Sequence, residues 1–372
     1  MIPLFTVNMS DDAIHASGEV LRSGYIGQGS KVEEFEGMLS SWFMNQNVLT
    51  VNSGTSGLQL ALSLIGVKSG DEIISTPMTC QATNQPILHA GAKIVWADID
   101  PNDGNINVKD IEHRITNKTR AIMCVHWGGY PCDMDEINAI AKKYKLFVID
   151  DCAHAFGSEY RGFSVGCLSD FSAFSFQAIK HLTTGDGGAV TARDNDDYER
   201  GKLLRWYGMN RDKGRELRCE DDVPEAGWKW HLNDINASIG IANLKYIDNV
   251  IAKHRENAKF YNERFDRLTT GKIWNMSYRD DRKSSYWLYT IFVDDRSKFI
   301  EHMKNNGIHC SRVHTRNDEH SCFKQFKTNE KLEGVRFFND HNVCIPVHSK
   351  LSYNDLEHVM SCIEIYCKRL EG

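Results

Sequence analysis

The first two thirds of the chain alternate short apolar segments with segments of helical periodicity. The apolar segments predict strands over 72–75, 93–97, 121–125, 147–149, 172–176 and 189–191. Between two of these strands, helical spacing is shown by Ile137, Ile140, Ala141 and Tyr144. Strands joined by helical crossovers pair in parallel and are covered by helices on both faces. The alternation therefore predicts an α/β fold around a mainly parallel sheet.

The last third of the chain has a different pattern. A long helical stretch is expected from about Asn233 to about Leu268, as a bridge between two domains. After it, a strand, a helix, a second strand and a final helix are expected over 287–293, 298–305, 343–347 and 354–369. That set would form a small α+β domain. We therefore expect a large domain over 1–250 and a small C-terminal domain over 251–372.

One lysine stands between an apolar strand and a glycine-rich turn. Lys180 follows a strand that ends near Phe176 and precedes the segment Gly185–Gly188. An amine held beside apolar groups has its pKa lowered by desolvation and can attack an aldehyde. Lys180 is therefore a candidate Schiff-base lysine. Taken alone, a solvated surface lysine is the more common interpretation.

A second segment reverses that interpretation. The apolar residues Phe147–Ile149 end in Asp150 and Asp151, and His154 follows. Ligands of open α/β sheets bind at the carboxyl ends of strands, so Asp151 is placed to face a cofactor. Pyridoxal phosphate needs this combination, because a lysine binds its aldehyde and a carboxylate keeps its pyridine nitrogen protonated. His154 is a candidate contact of the same ring, and a core histidine bonded to backbone is the alternative.

A phosphate site is indicated by the turn Ser53–Gly57, which joins a short strand to an apolar helix. Free backbone amides at a helix start, with the hydroxyls of Thr55 and Ser56, suit a dianionic phosphate. Serine and threonine cap ordinary helices equally well. The turn is therefore specific only in combination with Lys180 and Asp151.

Together these segments resemble the DegT-type sugar aminotransferases, which are pyridoxal-phosphate enzymes of the aspartate aminotransferase fold. The resemblance covers nearly the whole chain, in five separately placed matches that keep the family's order. The matches are Leu21–Gly29 with Val32, Phe35 and Glu36, the Ser53–Thr55 turn, the Asp151 and His154 strand, Ser175 with Lys180 and Gly185–Gly188, and Gly227–Asp234 with Ala237 and Gly240. The resemblance implies a PLP-dependent transferase fold of type I, with a mainly parallel seven-stranded sheet in the large domain.

The resemblance also assigns cofactor contacts to individual residues. Lys180 would hold the cofactor as a Schiff base and move the proton between the substrate carbon and the cofactor. Asp151 would pair with the pyridinium, and His154 with the ring hydroxyl. The phosphate would be bound by Ser175, Gly54 and Thr55.

Three positions depart from the family's usual residues. Cys80 stands where the family places an aromatic side chain over the cofactor ring, and a thiol covers a ring with less area than a phenyl group. Lys229 and His231 stand where many members carry Asn and Arg, which keeps donor character near the phosphate. In the family this segment reaches the neighbouring subunit. The resemblance therefore implies a homodimer with shared active sites, in which Lys229 contacts the phosphate bound by the partner subunit.

Further polar residues are candidates for the substrate side. The resemblance and the neighbourhood of the lysine select Tyr25, His181, Arg316 and His320. The pair His314 and His320 could suggest a metal, but nothing supplies a third ligand at a known spacing, so we expect no metal. His126 ends another strand at the same edge of the sheet, where wall packing and catalysis are both open to it.

The implied reaction moves an amino group from L-glutamate to a keto carbon of a nucleotide-linked deoxysugar, giving an amino sugar for glycan biosynthesis. Carbon 4 of a 6-deoxyhexose is preferred because it is frequent in the family. One alternative is a pyridoxal-phosphate dehydratase, in which a histidine replaces the lysine, so a one-residue shift from Lys180 to His181 would favour it. The other is a cofactor-binding regulatory protein without catalysis.

Composition restricts the class of partner and the compartment. The 372 residues carry a formal net charge of −6, so no general attraction to nucleic acid or anionic membranes is expected. No apolar run is long enough for a membrane span, and the start of the chain lacks a signal-peptide pattern. The eleven cysteines include no Cys-x-x-Cys pair. Free thiols fit a reducing compartment, so we expect a cytoplasmic enzyme.

Overall fold

The central sheet of the protein contains seven strands. The structure is a computed structural model that describes residues 1–211, 222–268 and 271–371. Strands are numbered along the chain: β1 Val48–Val51, β2 Glu72–Ser75, β3 Lys93–Trp96, β4 Thr119–Val125, β5 Phe147–Asp151, β6 Glu159–Tyr160, β7 Phe163–Ser164, β8 Phe171–Ser175, β9 Gly188–Ala192, β10 Ile273–Asn275, β11 Arg282–Lys283, β12 Tyr289–Val293 and β13 Asn342–Ile345.

Helices connect these strands and cover the sheet. They are α1 Asp11–Ser23, α2 Ser30–Phe43, α3 Gly54–Leu64, α4 Gln81–His89, α5 Val108–Arg114, α6 Met134–Tyr144, α7 Asn195–Leu204, α8 Asp234–Leu244, α9 Ile247–Phe265, α10 Arg296–Asn305, α11 Glu333–His341 and α12 Tyr353–Glu371. Among the described residues, no helix combines the length and the apolar character that crossing a membrane requires.

The strand order across the central sheet is β1, β9, β8, β5, β4, β2, β3. Neighbouring strands from β8 to β3 are parallel, and β9 is antiparallel to both of its neighbours. All six strands that the sequence predicts in the first two thirds of the chain lie in this sheet. The prediction of a mainly parallel, seven-stranded α/β sheet is confirmed.

The parallel strands bring the predicted motifs to one edge of the sheet. Asp151 is the last residue of β5 and lies in register with Ala173 of β8. Ser175 ends β8, and Lys180 follows in the loop that leads to β9. Helix α3 begins at Gly54, directly after β1, and its apolar residues are buried against the sheet. The ends of β5 and β8, the loop after β8 and the start of α3 therefore place the candidate cofactor residues side by side.

A smaller antiparallel sheet, in the order β10, β12, β13, lies beyond α9. Its buried side chains share one core with α9, α10 and α12, as Tyr261, Phe299, Val343 and Ile363 illustrate. The expected strands over 287–293 and 343–347 correspond to β12 and β13, and the two expected helices to α10 and α12. Strand β11 pairs instead with the β6–β7 hairpin.

The prediction of one long helix over 233–268 was wrong in one respect, because two helices, α8 and α9, occupy this range. Tyr246 between them has φ −109° and ψ 2°, which is not helical. Its amide donates to the Asn243 carbonyl in a tight turn, with an N···O distance of 3.1 Å. The Asn243 side chain is held by Ser10 and by the carbonyl of Thr183, so the end of α8 is fixed by tertiary contacts that periodicity does not reveal.

Helix α9 joins two cores. Near its start, Ile251 packs in a cluster with the residues of α2 and α8. Near its end, Tyr261 and Phe265 pack in the core of the smaller sheet. The expected division of the chain near residue 250 remains a prediction.

The N-terminal segment also links the two parts of the protein. Ile2 donates to the Gly307 carbonyl at 2.8 Å and accepts from the His309 amide at 2.9 Å. Two residues later, Leu4 and Phe5 pack against the large core that contains the central sheet.

Candidate functional site

The predicted motifs surround a cavity of about 490 Å³ at the carboxyl edge of the central sheet. Of the residues that the sequence assigns to the cofactor, its lining contains Gly54, Thr55, Cys80, Asp151, His154, Ser175 and Lys180. They come from four separate segments of the chain, and the fold brings them together.

Lys180 is the only lysine of this lining, and its amine is buried in the cavity wall. Within the described ranges its Nζ makes no salt bridge and lies 3.6 Å from the centroid of the Trp287 ring. Burial lowers the pKa of Lys180 to about 8, although the charge of Asp151 acts in the opposite direction. About a tenth of the amine is therefore neutral at pH 7, far more than for a solvated lysine.

Asp151 is held by two donors. Thr83 Oγ1 donates to its Oδ2 at 2.6 Å, and the Ala153 amide donates to its Oδ1 at 2.9 Å. Burial raises the pKa of Asp151, while these two hydrogen bonds and the charge of Lys180 oppose that rise. The sequence analysis did not identify Thr83 as a partner of Asp151. Thr83 is a buried threonine in the first turn of α4, and nothing in its local sequence pattern marks it as a donor to that carboxylate. The site thus contains a carboxylate fixed in orientation and accessible from the cavity.

Asp150 has a different role from its neighbour. His126 Nε2 lies 3.2 Å from Asp150 Oδ2, and Cys152 Sγ donates to the same oxygen at 3.2 Å. Burial disfavours both charges, but their mutual attraction lowers the pKa of Asp150 and raises that of His126. The ligand atoms of His126, Asp150 and Cys152 lie within 4.8 Å of one another, as a metal site would require. Hydrogen bonds already account for them: His126 Nδ1 accepts from the Cys132 amide at 3.0 Å.

The start of α3, where the sequence predicts a phosphate site, lines the cavity. Ser53 Oγ accepts from the Ser56 amide at 3.1 Å and caps the helix. A Cβ on Gly54 would stand 3.0 Å from the Ser175 Cβ and 3.2 Å from the Phe174 carbonyl, so glycine permits this close approach. The helix start and the Ser175 hydroxyl consequently face the same part of the cavity, and a helix N-terminus favours a dianion there.

His154 is a neutral imidazole in the wall of the cavity. Burial and the positive charge of Lys180 hold its pKa well below the usual range. Its ring stacks on Trp287, with centroids 4.0 Å apart and an interplanar angle of 20°. His154 Nδ1 and His314 Nε2 are both buried without a hydrogen-bond partner among the described residues. Buried polar atoms without partners are rare, so these two nitrogens indicate a site shaped for a polar ligand.

Cys80 lines the cavity as the residue that precedes α4. His320 is not among the lining residues, and its Nε2 lies 3.1 Å from Nε2 of Gln81, the neighbour of Cys80. Arg316 makes two hydrogen bonds to Asp318, at 2.8 and 2.7 Å. Neither Arg316 nor His320 is part of the cavity wall in this chain.

His181 is separated from the cavity that contains Lys180. Its ring is buried, its Nε2 lies 3.0 Å from the Ser285 carbonyl, and it contacts the His254 ring edge to face, with centroids 4.5 Å apart. It borders a different cavity, together with Asn8 and residues of α8 and α9. The structure therefore does not bring His181 to the candidate cofactor site.

Tyr25 and Lys229 also lie outside the cavity of their own chain. Tyr25 is exposed, and its hydroxyl donates to the Gln28 carbonyl at 3.3 Å. Lys229 Nζ lies 5.8 Å from the centroid of the Trp206 ring. Their predicted roles concern the partner subunit and the substrate, and both roles remain predictions.

Sequence reasoning missed another part of the lining, namely Leu4, Phe5, Trp287 and Val313. Trp287 lies in the segment predicted as a strand, and nothing in its local pattern distinguishes it from a core residue. These residues reach the cavity from the N-terminal segment and from the part of the chain beyond α9.

The residues present fit pyridoxal phosphate. The amine with a lowered pKa, the oriented carboxylate and the helix N-terminus match the three reactive or charged groups of that molecule, namely its aldehyde, its ring nitrogen and its phosphate. His154 Nδ1 supplies a further polar contact for a ring substituent.

Comparison with known proteins agrees with this geometry. Residues 8–364 match the model of the DegT/DnrJ/EryC1/StrS aminotransferase family. A UDP-4-amino-4,6-dideoxy-N-acetyl-beta-L-altrosamine transaminase from Campylobacter jejuni is 33% identical over 370 residues, covering 96% of this chain and 96% of the relative.

Solved structures give the same result. The crystal structure of AtS13 from Actinomadura melliaura superposes with a TM-score of 0.94 at 42% identity, and covers 98% of each chain. The PLP form of Spr1654 from Streptococcus pneumoniae, described as a putative sugar aminotransferase, superposes with a TM-score of 0.91 at 25% identity, over 99% of each chain.

Proposed function

Because this chain belongs to the DegT/DnrJ/EryC1/StrS aminotransferase family, we propose that it moves an amino group from L-glutamate to a keto carbon of a nucleotide-linked deoxysugar. Pyridoxal phosphate is the cofactor that the family and the cavity imply. The resemblance that the sequence suggests is confirmed by the family match. The aminotransferase class follows from that match, and the donor, the sugar and the carbon are the parts that we propose.

One observation carries the proposal. Lys180, Asp151 and the start of α3 face a single cavity, with the only lysine of the lining held free of any salt bridge in the described part of the chain. An ordinary structural lysine would be solvated or paired. A buried amine with a lowered pKa beside a carboxylate is typical of covalent catalysis.

Bound pyridoxal phosphate supplies an electrophilic aldehyde and a ring that withdraws electrons from the substrate carbon. Lys180 would hold the aldehyde through its Nζ and would act as the base and acid that moves the proton of the substrate carbon. Its pKa of about 8 suits both directions of that proton transfer near neutral pH.

The other residues of the site are proposed to orient the cofactor and stabilise its charges. Asp151, fixed by Thr83 and the Ala153 amide, keeps the proton on the ring nitrogen. Neutral His154 would bind the ring hydroxyl through Nδ1, which has no hydrogen-bond partner among the described residues. The Gly54–Thr55 turn and Ser175 would bind the cofactor phosphate. We place the stacking contact of the ring at Cys80.

Carbon 4 of a 6-deoxyhexose is the keto position that we propose. The C. jejuni relative is named for a 4-amino-4,6-dideoxy sugar, which supports this choice by similarity. The product is then an amino sugar for glycan biosynthesis. Arg316, His320 and Tyr25 are proposed to contact the nucleotide sugar, and the enzyme is proposed to act in the cytoplasm, where its free thiols stay reduced.

The proposal includes a homodimer with shared sites. Lys229 lies away from the cavity of its own chain, and its neighbour Trp228 is exposed, as expected for residues that contact a second copy. A mixture of inactive Lys180→Ala and Lys229→Ala proteins tests this. Because one site of each mixed dimer carries neither substitution, activity should reappear on mixing, and its absence would contradict shared sites.

The position of His181 counts against the dehydratase alternative. That alternative needs a histidine in place of the Schiff-base lysine, yet Lys180 faces the cavity and His181 is turned to the Ser285 carbonyl.

The visible absorption spectrum of the purified protein with pyridoxal phosphate tests the proposal. We expect a band of covalently bound cofactor that disappears when L-glutamate is added. The Lys180→Ala variant should show neither the band nor the change, and Lys298→Ala, which removes an exposed lysine, should behave as wild type.

Two results would change the assignment. A band that L-glutamate leaves unchanged would favour another donor, a dehydratase or a regulatory protein. A wild-type band that survives in Lys180→Ala would show that another amine binds the cofactor.

A further inference from the structure

The N-terminal segment and the region beyond α9 contribute apolar side chains to the cavity, and two of these are aromatic. We call Phe5 and Trp287 the aromatic wall. Their rings stack with centroids 5.0 Å apart and an interplanar angle of 21°. Trp287 also stacks on His154 and lies 3.6 Å from the Lys180 amine. The aromatic wall therefore borders the place where the keto carbon must be presented.

Trp287 is fixed in this position by the backbone around it. Tyr286 has φ +51°, a left-handed conformation that is costly for a bulky residue. The Tyr286 carbonyl accepts from His254 Nδ1 at 2.8 Å, which helps to hold that conformation. The indole Nε1 donates to the Ile179 carbonyl at 2.9 Å, one residue before Lys180. The only polar atom of the indole is thus already bonded, and the ring offers the cavity an apolar surface.

Val313 and Leu4, which come from the same two parts of the chain as the aromatic wall, add apolar surface to the lining. Val313, with φ +61°, is a β-branched residue in the left-handed region, and it lines the cavity beside Leu4. Phe5 is half-buried, at the end of the segment that Ile2 anchors to Gly307 and His309. Strain of this kind persists where the surrounding structure enforces it, and it clusters at ligand sites.

An apolar surface beside the reacting amine discriminates among sugars by the substituent that faces it. We propose that the aromatic wall selects a 6-deoxy keto sugar, whose methyl group packs on Phe5 and Trp287, over the counterpart with a 6-hydroxyl group. This inference rests on the proposed function. A hydroxyl pressed against these rings would lose its water without gaining a partner.

The size of the preference for the 6-deoxy sugar can be estimated from how hydrophobic pockets treat an added hydroxyl group. A hydrophobic pocket discriminates against an added hydroxyl by a factor of about 100 at most, because the rest of the molecule still fits. We therefore expect a preference of roughly 10-fold to 100-fold for the 6-deoxy sugar in kcat/KM.

The test uses the cofactor-loaded enzyme with matched pairs of 4-keto sugars that differ only at carbon 6, in UDP-, GDP- and dTDP-linked forms. Both kcat/KM and the dissociation constant of the corresponding unreactive hexose and 6-deoxyhexose nucleotides are measured. Phe5→Ser should reduce the preference to a few-fold, and Phe5→Leu, which keeps an apolar side chain, should retain most of it. Phe163→Ser is the matched control, because Phe163 is exposed in the β6–β7 hairpin and outside the cavity lining.

The outcomes separate this inference from the proposed function. The inference is overturned if the wild-type enzyme has the same kcat/KM for both sugars, or if Phe5→Ser keeps the full preference. It is also overturned if the wild-type enzyme prefers the 6-hydroxyl form, which a hydrogen bond between that hydroxyl and His314 Nε2 would explain. Failure of L-glutamate to react with the loaded enzyme, together with no turnover of any keto sugar, overturns the proposed function and this inference with it. Loss of folding in Phe5→Ser leaves Phe5→Leu and the wild-type preference as the deciding measurements.

Discussion

The cavity has two sides that were assembled in different ways. The cofactor side consists of short motifs at the carboxyl ends of parallel strands, where Asp151 and Ser175 lie on neighbouring strands and Lys180 follows the second of them. The aromatic wall joins Phe5 to Trp287, which lie 282 positions apart in the chain. Sheet topology brings the first set together in any protein of this fold, whereas the second depends on how the smaller part of the chain packs. We therefore expect the cofactor side to carry the chemistry and the aromatic wall to carry the choice of sugar.

The largest expected effect is on reaction rate, and it distinguishes the cofactor side from the aromatic wall. Asp151→Asn removes the charge that we propose to hold the ring nitrogen protonated, so both half-reactions should slow by roughly 10²- to 10³-fold. Trp287→Phe keeps an aromatic ring and should slow mainly the half-reaction with the sugar. Stopped-flow absorbance of each half-reaction measures the two effects separately. Equal losses in both half-reactions for Trp287→Phe would show that the wall belongs to the catalytic machinery.

The same contrast explains what the sequence could predict. Lys180, Asp151 and the Ser53–Gly57 turn stand out because each combines a reactive group with a strand end or a helix start. Thr83 and Trp287 do not, because a buried threonine in a helix and a tryptophan before a strand are ordinary core residues in sequence. Their partners, Asp151 and Phe5, lie 68 and 282 positions away. Such pairings follow from tertiary packing, which hydrophobic periodicity does not encode.

The break between α8 and α9 has the same origin. Apolar positions continue through the junction, so periodicity predicts one helix. The turn at Tyr246 coincides with contacts from the Asn243 side chain to Ser10 and Thr183, which lie far away in sequence. The boundary near residue 250 was expected from a change of pattern, and helix α9 crosses it.

The second prediction concerns pH. Only the neutral amine of Lys180 attacks the cofactor aldehyde, and burial lowers its pKa to about 8. The rate of cofactor capture by the apoprotein should therefore rise about tenfold per pH unit up to pH 8 and then level off, whereas a blocked lysine in water, with a pKa near 10.4, continues to rise. Asp151→Asn should move the plateau to lower pH, because the Asp151 charge favours the ammonium form. A plateau only above pH 10 would show that the amine is solvated.

The third prediction tests the support of the cofactor side. Thr83→Val preserves the shape of the side chain but removes the donor to Asp151 Oδ2. A hydrogen bond to a charged group contributes about 1.5–3 kcal/mol, so affinity for pyridoxal phosphate should fall by roughly 10- to 100-fold. Thr83→Ser keeps the hydroxyl and should stay close to wild type. A titration followed by tryptophan fluorescence measures both constants, and equal affinities in the two variants would remove Thr83 from the cofactor site.

The smallest effect is expected at the phosphate cradle. Gly54→Ala places a methyl group 3.0 Å from the Ser175 Cβ and 3.2 Å from the Phe174 carbonyl, so the start of α3 must move by a few tenths of an ångström. The proposed phosphate contacts would be displaced with it, and cofactor affinity should fall a few-fold. Gly37→Ala in α2 is the matched control, because its methyl group meets nothing within 4 Å and alanine favours a helix by about 0.5–1 kcal/mol. Gly37→Ala should raise the unfolding temperature and leave cofactor affinity unchanged, whereas Gly54→Ala should lower affinity. If Gly54→Ala binds the cofactor as tightly as wild type, then phosphate binding does not depend on the close packing of α3 on β8. The cofactor side would then tolerate small substitutions better than the aromatic wall does.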